Sequence, residues 1–185
     1  SFAACRASRS ASAPVNNTPV ITGLDGQSVA WAGVGNSVLL DASGVATLSD
    51  TENDAATWNG ASLTVQRVGS ALSADVFGFS EAGFSVSGNA LQSGGQTFAT
   101  FTQSGGVLTV TFTGGGTDAT NALVQAVLRG INYRNDTPAA DATMRLTLSD
   151  GHTASSADVT VTSDRIDVTN TTDTATIDLS DGVSL

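Results

Sequence analysis

The chain has 185 residues, with 7 basic and 17 acidic side chains, a formal net charge of -10 and only 13% charged residues. Every basic residue is Arg and they are scattered, so there is no clustered cationic surface to displace counterions from nucleic acid or anionic membrane. The single cysteine, Cys5, excludes an internal disulfide. No apolar run approaches the roughly 20 residues of a membrane-spanning helix.

Among the acids, all but Glu52 and Glu81 are Asp. A helical protein would carry Glu and Lys on its exposed faces. Asp, Asn, Thr, Ser and Gly instead suit turns and strand ends, the profile of an all-β extracellular protein. Residues 1–19, from "SFAACRASRSASAP" to "NNTP", read as an Ala/Ser-rich arm or linker ending in a turn signal. The stretch has no apolar h-region and is not an intact signal peptide. "FAAC" faintly resembles a lipoprotein processing site, but a trimmed leader or linker is the simpler reading.

Short strand-like runs follow, punctuated by Gly, Asn and Asp: 20–24, 28–32, 37–41, 61–68, 83–88, 96–103, 105–116, 143–151 and 155–162. In "ASLTVQRV" the period of two puts Leu63 and Val65 on one face, and in "GGVLTVTFTGGG" it puts Leu108, Val110 and Phe112 together. One stretch departs from this. In "TDATNALVQAVLRGINYR" the residues Leu123, Val124, Val127, Leu128 and Ile131 recur at helical spacing, with Asp118 as the expected N-cap and Gly130 as the stop. The pattern predicts an all-β, two-sheet antiparallel sandwich of Greek-key order over residues 20–162, with one short crossover helix. Residues 163–185 contain two more strand-like runs, 165–169 and 174–179, which extend the sandwich or join a neighbour.

"LSDTENDAATWNG" gathers Asp50, Glu52, Asn53 and Asp54 between two apolar runs. In an extended segment Asp50, Glu52 and Asp54 share one side, and calcium takes 6–8 oxygen ligands. Ala55 and Ala61 stand where an EF-hand loop needs its Gly and Glu, so that motif is excluded. Greek-key topology brings this loop, the turn after "LTLSDG" and the entering linker to one pole. The candidate metal set is therefore Asp50, Glu52, Asp54, Asp150 and Asn17 (or Asn16), with calcium as the cofactor. A solvated loop in which Asp50 and Asp150 cap turns is the competing reading.

Elsewhere the chemistry is sparse. Asn132, Asn135, Asp136 and Asp141 in "NYRNDTPAAD" read as a turn before the next strand rather than a second metal site. His152, the one histidine, lies in an exposed turn with no G-x-S-x-G elbow in the chain. No catalytic residues are assigned. The Gly pairs mark hairpins, not phosphate cradles. Trp31 and Trp58 suit core and pole packing better than sugar stacking in a chain with 5% aromatics.

The blocks "NNTPVITGLDGQSV", "VLLDASGVATLSDTENDAATWNGASLTV" and "ALVQAVLRGINYRNDTPAADATMRLTLSDG" resemble the cadherin-like repeat of large bacterial surface and type I-secreted, RTX-like adhesin proteins. The resemblance spans about residues 16–162. It implies an immunoglobulin/cadherin-like sandwich strung head to tail, with calcium stiffening the junctions. The expected function is a non-catalytic extracellular structural or adhesive module. Its partners would be neighbouring domains or subunits, with glycans or cell-surface proteins as further candidates. The alternative is a self-assembling subunit of a surface layer, filament or phage appendage, exchanging a strand through its terminal arm.

Overall fold

A computed structural model describes residues 15–163, so the arm before Val15, Cys5 and the runs 165–169 and 174–179 lie outside the described residues. The described chain is all-β, a sandwich with two short helices. Its elements in order are β1 (Val20–Thr22), β2 (Gln27–Ala30), β3 (Val38–Leu39), β4 (Thr47–Ser49), α1 (Thr51–Ala55), β5 (Ser62–Arg67), β6 (Val76–Phe79), β7 (Ser85–Ser87), β8 (Ala90–Ser93), β9 (Gln96–Ser104), β10 (Val107–Phe112), α2 (Asn121–Gly130), β11 (Ile131–Arg134), β12 (Ala142–Ser149) and β13 (Ala154–Thr162).

One sheet has eight strands in the order β2-β13-β12-β5-β10-β9-β8-β7, and a second has three, β3-β11-β6. β1 and β4 form a separate pair. The neighbours of β5 are β12 and β10, neither adjacent to it in sequence, so connections cross between layers instead of meandering. All the pairings of the large sheet are antiparallel except β2 against β13. Alternation puts Leu63 and Val65 of β5, Leu108, Val110 and Phe112 of β10, and Met144, Leu146 and Leu148 of β12 inward. These merge with Phe77, Ile131 and Tyr133 of the small sheet in one apolar cluster. Each such side chain contributes about 1.5–3 kcal/mol by leaving water.

The predicted helix exists, but its cap differs. Thr120, not Asp118, is the N-cap of α2, accepting from the Leu123 N–H. Asp118 instead accepts from the Asn59 amide. The helix ends at Gly130, and Ile131 takes extended backbone into β11. Glycine is required at 130 because a Cβ there would sit 2.7 Å from the Ser80 carbonyl oxygen. Val124, Val127 and Leu128 bury the apolar stripe. Strands β4, β6, β8 and β11 were not predicted. They are two-sided or only three to four residues long, too short for alternation to stand out.

The segment 51–55 is a second helix, not the extended loop the carboxylate spacing was read on. Asp50 is its N-cap, accepting from the N–H groups of Glu52 and Asn53. Glu52 and Asp54 in the first turn favour the same outcome, since acids there complement the helix dipole.

Candidate functional site

Three segments meet at the pole where the described chain enters the sandwich. The Asn16 amide donates to Asp150 Oδ2 at 2.9 Å and to Thr153 Oγ1 at 3.3 Å. The Asn17 N–H donates to Glu52 Oε2 at 3.2 Å, and its carbonyl accepts from the Thr153 hydroxyl at 3.3 Å. The linker is thus gripped from two sides, by α1 and by the β12–β13 turn. These contacts span 134 and 35 residues of sequence.

The predicted set does not converge as one face. Helical geometry turns residues two apart away from each other, so Glu52 leaves the side of Asp50 and Asp54. Asp54 accepts from the Asp50 N–H at 3.0 Å through one oxygen, and from the Asn121 amide through the other. Asp50 Oδ1 is taken by capping, whereas its Oδ2 is buried without a partner among the described residues. Asn17 takes part through its backbone, and the side-chain contact to Asp150 belongs to Asn16. Among the described residues no group of three or more His, Cys, Asp or Glu stands close enough to hold a metal. The three ion pairs found among those residues involve none of these acids.

The pole acids are therefore balanced by N–H groups rather than by Arg. Partial burial alone would raise the Asp150 pKa. The N–H groups of Thr153 and His152, the Asn16 amide and the Thr153 hydroxyl outweigh it and hold the carboxyl at about 2. A depressed carboxyl contributes stability above its ordinary value of 3.8, and that contribution disappears as pH falls from there to about 2. We expect the Asn16, His152 and Thr153 amide resonances to move together in that window. Transitions at separate pH values would disprove a single Asp150 clamp.

His152 is exposed, and its backbone N–H donates to Asp150 at 2.6 Å. The second oxygen-rich stretch is structural. Asp141 accepts from Ser163, and Asp136 pairs with Arg134. Asn132 packs against Gly78, while Asn135 is buried and donates to Asp75 at 2.8 Å.

That last contact belongs to a cluster missed in the sequence. Asp75 is fully buried and receives Arg67 through two bonds, at 2.6 and 2.7 Å, together with the Tyr133 hydroxyl at 2.7 Å. Burial would raise the Asp75 pKa, but Arg67, Tyr133 and Asn135 outweigh it and keep it below the ordinary range. Burial first, and then the Asp75 carboxylate, push the Tyr133 hydroxyl up to about 12. The one local signal was the two-residue spacing of Tyr133 and Asn135, which puts both on one side of β11 and its extension.

Comparison with family models, with curated proteins and with solved structures finds no match to this chain. Among the described residues, no helix is long and apolar enough to cross a membrane.

Proposed function

We propose that the chain is a non-catalytic structural or adhesive module of a bacterial cell-surface protein, of the cadherin-like kind, that holds its neighbours in line. The observation that supports this best is the placement of the two connecting segments. Asn16 and Asn17 are gripped beside Asp150, at the start of β13. Ser163 leaves at the end of the same strand, anchored to Asp141 at 2.8 Å. The nine residues of β13 separate the two points by about 27 Å. A connection held at both ends of a sandwich suits a spacer that transmits orientation.

Calcium is the cofactor in this reading. The buried Asp50 Oδ2 has no donor among the described residues. Asp150, by contrast, would have to release the hydrogen bonds from Asn16, His152 and Thr153, and Glu52 the one from Asn17, before either could join such a site. Such a site depends on amide and carbonyl oxygens, since the acids do not form a closed group. Thermal unfolding of the full chain with calcium and with chelator tests it. Free calcium at about 100 times the Kd of the site adds roughly 2.7 kcal/mol, which at this size raises Tm by on the order of 5–10 °C. Identical melting points would remove calcium from the proposal.

The alternative is the self-assembling subunit. The edges of the eight-stranded sheet, β2 and β7, have only four and three residues, and short edges discourage strand addition. Light scattering separates the two readings. Assemblies that disappear on deletion of residues 1–15 would favour the subunit over the spacer.

A further inference from the structure

We propose that the pocket beside Trp31, at the exit pole, is a subsite for one pyranose ring of a neutral glycan. Sequence alone treats the two tryptophans alike, but the fold separates them. Trp58 is fully buried. Trp31 is half-buried and lines a pocket of about 180 Å³ with Val34, Asp136, Thr137 and Pro138.

The indole is held in place before any ligand arrives. Its Nε1–H donates to the Asn135 carbonyl at 2.8 Å, and its backbone N–H donates to the Thr162 carbonyl at 2.8 Å. Asp136 is held as firmly. Two Arg134 nitrogens donate to it, and so does the Gly35 N–H at 2.8 Å. A carboxylate offers about four acceptor positions, so among the described residues these three bonds leave one on Asp136 for a hydroxyl.

A pyranose has an apolar C–H face and a rim of hydroxyls, and it needs both kinds of surface at once. Trp31 and the exposed Val34 supply the apolar side, with the buried Pro138 behind them, and Asp136 and the exposed Thr137 supply the polar side. The net charge of -10 selects neutral over anionic sugars. A single ring of about a dozen heavy atoms in a shallow site binds with Kd of about 1–10 mM, so useful affinity needs repeated copies. The pocket lies across β13 from Asp150, so it is independent of any cation at the entry pole.

Proton–nitrogen NMR of the full chain tests this directly, because the two indole N–H groups report separately. Methyl glucoside, methyl galactoside and N-acetylglucosamine are titrated to tenfold above the expected Kd, with and without chelator. At least one should shift the Trp31 indole signal saturably, leave that of Trp58 in place, and behave the same in chelator. Thr137→Ala should weaken binding about 2- to 10-fold, and Trp31→Ala should abolish it while circular dichroism still shows the sandwich. If Trp31→Ala does not fold, Thr137→Ala decides, since Thr137 is exposed. A Trp31 signal unmoved by all three sugars, or affinity unchanged in Thr137→Ala, overturns the proposal. Shifts that require calcium overturn it too.

Discussion

Replacing Asp75 by Ala lowers the stability of the chain by about 3–5 kcal/mol, the usual cost of removing one member of a buried ion pair. The reason lies with the groups left behind. Arg67, whose side chain is 21% exposed, loses both of its charge-assisted bonds. The Tyr133 hydroxyl and the Asn135 amide lose their acceptor in the same place. Water reaches the Asp75 position poorly, so these donors stay unpaired. Urea denaturation should show a lower midpoint with an unchanged slope. The double variant Arg67→Met, Asp75→Leu should recover the share of the loss due to the unpaired Arg67 charge, but not the share from Tyr133 and Asn135, which still lack their acceptor. A single-variant loss below about 1 kcal/mol would show that the cluster is solvated rather than buried. The pH behaviour has a definite sign. Because the folded-state pKa is depressed, Asp75 stabilises the fold above 3.8, and the contribution fades only as pH falls below that value.

Gly106→Ala should be nearly as damaging, whereas Gly105→Ala, one residue earlier in the same turn, should cost only about 1 kcal/mol. Both glycines connect β9 to β10 with positive φ, 60° for Gly105 and 81° for Gly106. A Cβ on Gly105 meets nothing within 4 Å. A Cβ on Gly106 would lie 2.6 Å from the Leu72 carbonyl carbon, 2.9 Å from the Leu72 nitrogen, and closer still to its oxygen. Backbone cannot rotate aside as a side chain can, so the loop before β6 must move. Strain at φ and displacement of that loop together cost about 2–5 kcal/mol. The two sites are also coupled. The Leu72 carbonyl accepts from the Asp75 N–H at 2.8 Å, so moving Leu72 disturbs the carboxylate described above. Gly106→Ala and Asp75→Ala should therefore be less than additive in a double-variant cycle. Equal losses for the two glycine variants would mean that the turn, not the contact with Leu72, sets the requirement.

Much of the sandwich was legible because strand formation has a local signature. Leu63, Val65, Leu108, Val110 and Phe112 alternate with polar residues, and all of them point inward. The stripe of α2 was legible for the same reason, at a different period. The cap was not, because Asp118 and Thr120 are both good N-caps, and the Asn59 contact 59 residues away claims Asp118. α1 was missed because five residues carry too little periodicity to compete with a loop reading. Its presence undoes the shared-side geometry inferred for Asp50, Glu52 and Asp54, which held only for extended backbone.

What the sequence determined by itself was the class of structure: strands from period two, turns from Gly, Asn and Asp, and an anionic surface from Asp without Lys. The tertiary structure decided which residues meet. It brought Asn16 to Asp150 and Asn17 to Glu52, and it buried Asp75 beneath Arg67 and Tyr133. It also set Gly106 against the Leu72 backbone while leaving open space beside Gly105, and it left Trp31 at a pocket while enclosing Trp58. The physical reason is range. Alternation acts over a few residues of one strand, whereas these contacts depend on how strands far apart in sequence cross between two sheets.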